Sequence, residues 1–258
     1  MAEHRVEHVM GMPVEIDVRD PGVDPAALDG AFDWLRFVDA TFSPYRPGSE
    51  ISRLDRGELA LHDAHPVVRE VLERCEHLRV RTGGFFDPRA RGGLDPSGLV
   101  KGWSVDRVAA LLEAAGARDF CVNAGGDVLV RGAPEPGERW RVGIRHPRRR
   151  DRLAAVLALT DAAVATSGAY ERGEHIVDPR SGRPPAGVLA VTVVGPDLAT
   201  ADAHATAAFA MGVAGPAWTA GLRGHEAMTI LAGDRVLATP GFVDRCAGAS
   251  VAASLQPA

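Results

Sequence analysis

Apolar positions at helical spacing dominate the first half of the chain, and short alternating or apolar runs dominate the second half. Residues 14–18 read VEIDV, an alternation that predicts a strand with one apolar face. Asp24 followed by Pro25 predicts a helix start, and helices are also predicted over residues 66–80 and 99–116. The inward positions expected for these three helices are Leu28, Phe32, Leu35 and Val38; Val67, Val71, Leu72 and Leu78; and Val105, Val108, Leu111 and Leu112.

Beyond Gly116, a glycine of the kind that ends helices, the pattern predicts mainly strands. These cover residues 120–123, 128–130, 140–144, 153–159, 164–166, 175–177, 189–194, 227–231 and 236–238, with one helix over 201–213. Helices and strands are segregated rather than strictly alternating, which favours an α+β fold over a doubly wound parallel sheet. A chain of 258 residues can form this fold as a single domain, residues 1–258.

Composition and charge exclude several classes of protein. The net charge of -5 argues against a general nucleic-acid binder, which needs a basic surface. The three cysteines form no CxxC pair, which is typical of reduced thiols in a cytoplasmic protein. The first residues carry charges and no long apolar run, so neither a signal peptide nor a membrane span is expected, and the predicted location is the cytoplasm.

Lys101, the only lysine of the chain, lies within DPSGLVKGWSVD, residues 95–106. The pattern predicts that Gly98 precedes a helix and that Lys101 lies in its first turn. Exposed backbone N–H groups beside an ammonium form a site for an anion such as a pyrophosphate. The alternative is a turn and helix whose lysine is simply solvated.

Asp202 and Thr206 are four positions apart in the predicted helix TADAHATAAFAMG, so their side chains lie on the same face of the helix. A carboxylate and a hydroxyl in this arrangement offer two hard oxygen ligands to Mg²⁺. The alternative is an aspartate that complements the helix dipole in a first turn, together with a threonine packed among alanines.

Two loops contain further candidates. Gly125, Gly126 and Asp127 lie between two predicted strands, where they form either a plain hairpin turn or a close approach of the backbone to a ligand. Tyr45, in FSPYRPGSEISRL, could stack on a flat ring or pack within its loop.

The segment ATSGAYERGEHIVDPRSGRPP, residues 165–185, contains hydroxyl, imidazole and carboxylate groups close together in the sequence. It lacks the GxSxG of a nucleophile elbow. His175 within it is either a functional group or an ordinary half-buried strand residue, and DPRSG is a natural turn.

Taken in order, these segments resemble the FAD:protein FMN transferase family, also called ApbE. The matching segments are MGMPVEI, FSPYRPGSEISRL, GGFFDP, DPSGLVKGWSVD, NAGGDVLVRG, VATSGAYERGEHIVDPRSGRP and VTVVGPDLATADAHATAAFAMG. They span roughly residues 10–213 in the order of the family. The resemblance implies an α+β fold of antiparallel sheets with packed helices. It also implies Mg²⁺-dependent transfer of FMN from FAD to a threonine or serine hydroxyl of an acceptor protein, with release of AMP.

The resemblance also implies roles for individual residues. The metal ligands would be Asp202, Thr206 and the backbone carbonyl of Val100. The catalytic set would be Asp202, Thr206 and His175, with His175 or Asp178 positioning the acceptor hydroxyl or moving its proton. The flavin-binding set would be Met12, Tyr45, Asp87, Lys101, Gly125, Gly126, Asp127, Thr166, Ser167, Gly168, His175 and Asp178.

The chain departs from the family pattern in two respects. Many members are exported lipoproteins, whereas the absence of an export signal here predicts a cytoplasmic acceptor. Val100 occupies a place where a smaller residue is more usual, although a backbone carbonyl ligand tolerates that change. The alternatives are an FAD pyrophosphatase, in which water replaces the acceptor, and a flavin-binding protein without turnover.

Overall fold

A nine-stranded sheet with helices against one face and a two-stranded ribbon against the other forms the fold. The computed structural model describes residues 3–149, 151–168, 176–248 and 256–257. The helices are α1 (Ala26–Phe42), α2 (Glu50–Asp55), α3 (Pro66–Arg81), α4 (Ser97–Ala114), α5 (Leu198–Ala210), α6 (Gly215–Thr219) and α7 (Pro240–Val243). The strands are β1 (Glu3–Val9), β2 (Met12–Val18), β3 (Phe120–Ala124), β4 (Asp127–Arg131), β5 (Trp140–Arg145), β6 (Leu153–Leu159), β7 (Ala162–Gly168), β8 (Val188–Gly195), β9 (Glu226–Leu231), β10 (Val236–Ala238) and β11 (Gln256–Pro257).

The large sheet has the strand order β1-β2-β3-β4-β7-β8-β9-β10-β11. Its neighbours pair antiparallel except for β10 and β11, which are parallel. Strands β5 and β6 form the separate ribbon. The predicted α+β fold with antiparallel sheets is therefore confirmed. Across the described ranges, we find no helix that combines the length and the apolar character needed to cross a bilayer.

The two faces of the sheet explain the apolar patterns. In β2, Val14 and Ile16 are fully buried towards α1, α4 and α5, while the intervening charged residues are only half-buried. The central strands are apolar on both faces because both faces are covered: in β4, Leu129 faces the helices and Val128 belongs to the cluster with the ribbon. The sheet thus forms a rigid base for the helices that carry the candidate site residues.

Two contacts seat α5 on α4. The carboxylate of Asp106 accepts hydrogen bonds from the backbone N–H groups of Leu198 and Ala199, at 2.8 and 2.9 Å. One turn earlier, a Cβ atom on Gly102 would lie only 2.4 Å from the carbonyl oxygen of Leu198, so the backbones touch where the side chain is missing. Burial raises the pKa of Asp106 to about 6, against the effect of these two hydrogen bonds.

Helix boundaries differ from the predictions in ways that affect the site. Helix α5 begins at Leu198 rather than at residue 201, because the Asp197 side chain caps it by accepting from Thr200 N–H. Asp202 therefore lies in the second turn of the helix. The alternative explanation, an aspartate that complements the helix dipole, required a position in the first turn. Helix α4 begins at Ser97, which places Lys101 in the second turn and Gly98 inside the helix rather than before it.

Other predictions of burial and local structure were partly wrong. Leu111 is 43% exposed because it points away from the α1 and α5 contacts of its helix, and α3 buries Val68 and Cys75 more fully than the predicted Val67 and Leu72. In contrast, Asp24 accepts from the N–H of Ala26 at the predicted helix start.

The predicted strand over residues 175–177 is not formed at positions 176 and 177, and position 175 lies outside the described residues. The chain there leads into a turn closed by pairing of Asp178 with Arg183. Strand β1 and helix α2 were not predicted. Strand β1 lacks a continuous apolar face because it is an edge strand, paired only with β2 among the described strands.

Candidate functional site

A cavity of about 480 Å³ opens where α4, α5 and the end of β7 meet the loops that follow α1 and α3. This volume is typical of small-molecule sites. Of the residues predicted from the sequence, those that line it are Met12, Tyr45, Asp87, Val100, Lys101, Gly125, Thr166, Ser167, Gly168, Asp202 and Thr206. The fold thus brings distant segments of the chain to one place.

The α5 side of the cavity presents hard oxygen atoms. Asp202 is only 3% exposed, and its Oδ2 atom has no hydrogen-bond partner among the described residues. One turn further, the Thr206 hydroxyl lies 3.3 Å from the hydroxyl of Ser167. A Cβ on Gly98 would come within 3.4 Å of this Thr206 oxygen, so the glycine of α4 keeps the space in front of it open.

These donors suit a magnesium ion. Within the described ranges, no group of three or more His, Cys, Asp or Glu side chains could hold a metal. A metal here would therefore depend on one carboxylate with hydroxyl and carbonyl oxygens, such as those of Thr206 and Val100, and on water or phosphate. Mg²⁺ prefers such an oxygen shell and commonly keeps several positions for water or substrate phosphate.

Lys101 adds a positive charge beside the α5 carboxylate. Its ammonium group forms an ion pair with Asp127 Oδ2 and lies 3.7 Å from Asp202 Oδ1. Burial raises the pKa of Asp202; Lys101 opposes this shift, and the neighbouring carboxylate of Asp127 reinforces it. A cation at this position would favour the ionised form of Asp202.

The turn of the hairpin between β3 and β4 contributes Gly125 to the cavity wall. Gly125 and Gly126 have positive φ values of 60° and 97°, as a two-residue hairpin turn with glycines permits. A Cβ on Gly125 would lie 2.8 Å from the sulfur of Met12, so the turn also needs glycine for close packing at the cavity wall. Asp127 and the exposed Gly126 do not line the cavity, and any effect of theirs on a ligand would be indirect.

Aromatic rings form another part of the wall. The side chain of Tyr45 is largely accessible, with the residue 83% exposed, and Phe85 and Phe86 line the cavity from the loop after α3. The guanidinium group of Arg180 lies 4.1 Å from the centre of the Phe85 ring and donates a hydrogen bond to the Gly83 carbonyl. The turn that carries Arg180 therefore holds this loop in place.

Asp178 organises that turn and does not line the cavity. Its carboxylate accepts hydrogen bonds from the backbone N–H of Arg180 and from the hydroxyl of Ser181, at 2.9 and 3.0 Å. Its predicted contribution to flavin binding would therefore act through Arg180 and the loop after α3. His175, the remaining predicted residue, lies outside the described part of the chain.

Several lining residues were not singled out from the sequence although they lie in the motifs that were. They include Met10, Phe42, Ser43, Phe85, Phe86 and Ser97. Each lies next to or within MGMPVEI, FSPYRPGSEISRL, GGFFDP or DPSGLVKGWSVD. The sequence motifs therefore indicated the right segments of the chain. Their individual side chains could not be assigned to the cavity because their orientation depends on loop conformation.

Comparison with known proteins agrees with this arrangement. The sequence profile of the ApbE family matches residues 10–92 and 89–229. The chain is 34% identical over 206 residues to the FAD:protein FMN transferase of Treponema pallidum, covering 69% of this chain and 57% of that protein. The corresponding match in Vibrio cholerae is 33% identical over 154 residues, covering 56% of this chain and 46% of that protein. The chain thus spans about half the length of these curated relatives.

Solved structures show the same fold. The flavin transferase ApbE of Vibrio cholerae superposes with a TM-score of 0.84 at 24% identity, covering 95% of this chain and 100% of that one. The ApbE protein of Thermotoga maritima superposes with a TM-score of 0.84 at 21% identity, covering 96% and 100%. The sequence profile matches well over half of the chain, and the resemblance seen in the motifs is confirmed: this chain belongs to the ApbE family.

Proposed function

We propose that this protein is an FAD:protein FMN transferase that moves the FMN part of FAD to a threonine or serine hydroxyl of an acceptor protein and releases AMP. In this proposal the reaction depends on Mg²⁺ held by Asp202, Thr206 and the carbonyl oxygen of Val100. The curated relatives described above are named FAD:protein FMN transferase, which supports the transfer of FMN from FAD to a protein.

The observation that carries the proposal is the composition of one cavity wall. Asp202, Thr206 and Val100 line the same space as Lys101. Hard oxygen donors beside an ammonium group match the needs of a diphosphate with its metal ion. The accessible rings of Tyr45 and Phe85 offer flat apolar surface to the ring systems of a dinucleotide.

Bound Mg²⁺ would supply charge neutralisation at the phosphate oxygens, which lowers the barrier to phosphoryl transfer. The residues of the chain contribute independently of it. Lys101 lines the cavity, where its ammonium group contributes positive charge for the diphosphate. The hydroxyl groups of Thr166 and Ser167 can donate hydrogen bonds to oxygen atoms of the ligand.

The proposed bond changes are those of a substitution at phosphorus. The acceptor hydroxyl oxygen forms a bond to the FMN-side phosphorus, and the bond from this phosphorus to the bridging oxygen breaks. AMP leaves with that oxygen, and the hydroxyl proton passes to a base. His175 or Asp178 would position the acceptor hydroxyl or take its proton, and this role stays a prediction.

A two-part assay tests the function. The purified protein is incubated with FAD and a known acceptor protein of one of the curated relatives, with and without Mg²⁺. AMP release is followed, and protein-bound flavin fluorescence is read after denaturing electrophoresis. We expect Mg²⁺-dependent AMP release and a fluorescent acceptor band. Asp202→Ala should remove both, whereas Asp244→Ala, at an exposed position outside the cavity, should retain them.

The other outcomes separate the alternatives. Free FMN and AMP without a fluorescent band would indicate an FAD pyrophosphatase. Binding of FAD without any Mg²⁺-dependent loss of FAD would indicate a flavin-binding protein without turnover. Unchanged turnover in Asp202→Ala would overturn the assignment of the metal ligand.

A further inference from the structure

Lys101, which is half-buried, forms a charge cluster with the buried residues Asp127 and Asp202. The two carboxylates are 2% and 3% exposed. The ammonium group of Lys101 is in direct contact with Asp127 Oδ2 and more distant, at 3.7 Å, from Asp202 Oδ1. Of these two carboxylates, the nearer one is that of Asp127, which does not line the cavity.

Asp127 has a hydrogen bond at one carboxylate oxygen and an ion pair at the other. It is the first residue of β4, and its Oδ1 accepts a hydrogen bond of 3.0 Å from the backbone N–H of Thr166 in β7. Its Oδ2 faces the ammonium group of Lys101. An aspartate held in this way can control where the flexible lysine side chain places its charge.

The position of the Lys101 ammonium group affects how readily the Asp202 carboxylate can bind a cation. A cation that binds Asp202 competes with the Lys101 ammonium group for the same oxygens. Charges only a few ångströms apart and shielded from water interact strongly, so a small displacement of the ammonium group changes this competition. The Oδ2 atom of Asp202, which has no hydrogen-bond partner among the described residues, is the atom that the present arrangement leaves available.

We propose that Asp127 is a positioning residue of the magnesium site: its negative charge holds the ammonium group of Lys101 away from Asp202 and keeps that carboxylate available to the metal. The inference rests on the magnesium site of the proposed function and adds a role that acts through Lys101. It predicts that Asp127 governs metal affinity without contacting the metal or FAD.

The test uses Asp127→Asn and measures Mg²⁺ binding by isothermal titration calorimetry in the absence of FAD. The asparagine keeps an oxygen that can accept from Thr166 N–H but loses the charge that holds Lys101. We expect the Mg²⁺ dissociation constant to rise by about tenfold or more, the typical cost of losing a group that orients a metal ligand. Asp119→Asn is the matched control, because Asp119 also accepts a backbone N–H, that of Ala133, and has no ion pair with Lys101.

The same substitution made in a Lys101→Met protein shows whether Asp127 acts by positioning Lys101 or by attracting the metal directly. In Lys101→Met there is no ammonium group to relocate, so Asp127→Asn should weaken Mg²⁺ binding less there than in the wild-type protein. Equal losses in both backgrounds would show that Asp127 acts only through its own charge and would overturn the inference. So would an unchanged dissociation constant in Asp127→Asn.

Lys101→Met alone gives an independent measurement if Asp127→Asn does not fold. Removal of the competing ammonium group should tighten Mg²⁺ binding several-fold, and weaker binding would contradict the inference. Thermal unfolding in EDTA reports whether each variant is folded. If the wild-type protein binds no Mg²⁺, the metal part of the proposed function fails together with this inference. If the wild-type protein binds Mg²⁺ and both Asp127→Asn and Lys101→Met bind it with the same affinity as the wild-type protein, the inference alone fails.

Discussion

The carboxylate of Asp106 in α4 accepts a hydrogen bond of 2.8 Å from the backbone N–H of Leu198, the first residue of α5. A second oxygen of the same carboxylate accepts from Ala199. One side chain therefore caps a neighbouring helix and sets the position of the helix that carries Asp202 and Thr206. The geometry of the oxygen donors at the cavity depends on this contact between helices.

Replacement of Asp106 should disturb both stability and the site. Asp106→Ala leaves two backbone N–H groups without acceptors, and we expect a loss of about 2–3 kcal/mol in the free energy of unfolding, measured by urea denaturation. Asp197→Ala removes a single capping hydrogen bond within α5 and should cost only about 1 kcal/mol. The Mg²⁺ affinity should fall more in the Asp106 variant. Equal effects of the two variants would show that the contact between helices has no special importance.

Gly102 should tolerate no side chain. In Gly102→Ala the added Cβ would meet the backbone of Leu198 and Ala199, at 2.4 and 2.8 Å, so α4 and α5 would have to separate. We expect a destabilisation of about 1–3 kcal/mol, as for other overpacked positions, measured from the melting temperature. Gly30→Ala in α1 is the control: nothing lies within 4 Å of its Cβ, and the helix should gain about 0.5–1 kcal/mol. A neutral Gly102→Ala would contradict the close approach.

Thr206 offers a matched pair of variants for the oxygen donors. Thr206→Ser keeps the hydroxyl, whereas Thr206→Val keeps the shape and removes it. We expect the valine variant to bind Mg²⁺ about tenfold more weakly or worse and to lose FAD turnover, and the serine variant to stay close to the wild-type protein. Calorimetric titration with Mg²⁺ measures the difference. Equal affinities for the serine and valine variants would exclude the hydroxyl as a ligand.

His204 should make the protein sensitive to acid. Its ring is 1% exposed, lies edge-on to Trp218 and His225, and has an Nδ1 atom without a hydrogen-bond partner among the described residues. Burial lowers the pKa of His204 to about 4, with smaller contributions from His225 and Arg81 in the same direction.

The sign of the effect follows from proton binding. Between pH 6.5 and about 4 the unfolded chain binds a proton at His204 and the folded chain does not. The free energy of unfolding therefore falls as the pH falls through this window, and above pH 6.5 none of it is lost to this group. The contribution is on the order of 3 kcal/mol. In His204→Leu, the free energy of unfolding measured from pH 8 to pH 4 should have a smaller slope, and an unchanged slope would assign the acid sensitivity to other groups.

Local patterns were sufficient for much of the fold and for the choice of candidate residues. The VEIDV alternation gave β2 because a strand with one buried face must alternate, and the spacing of Asp202 and Thr206 already placed them on one helical face. Family resemblance connected the motifs into a single site. The division of the chain into one domain stays a prediction.

Predictions that depended on neighbouring elements were less successful. Leu111 matches the helical period as well as Leu112 does, but only the packing of α1 and α5 decides which of two adjacent residues is buried. The start of α5 at Leu198 depends partly on Asp106, a residue of another helix. Such contacts have no local signature in the sequence.

The sequence by itself determined the α+β class, through local spacing, and the family, through the resemblance of its ordered motifs. The ligands that it indicated for a metal and a diphosphate stay a prediction. Only the tertiary structure decided that the ammonium group of Lys101 contacts Asp127 more closely than Asp202, and that Gly98 and Gly102 serve to leave space between elements. Distances between segments far apart in the chain are set by packing of the whole core, which no short stretch of residues encodes.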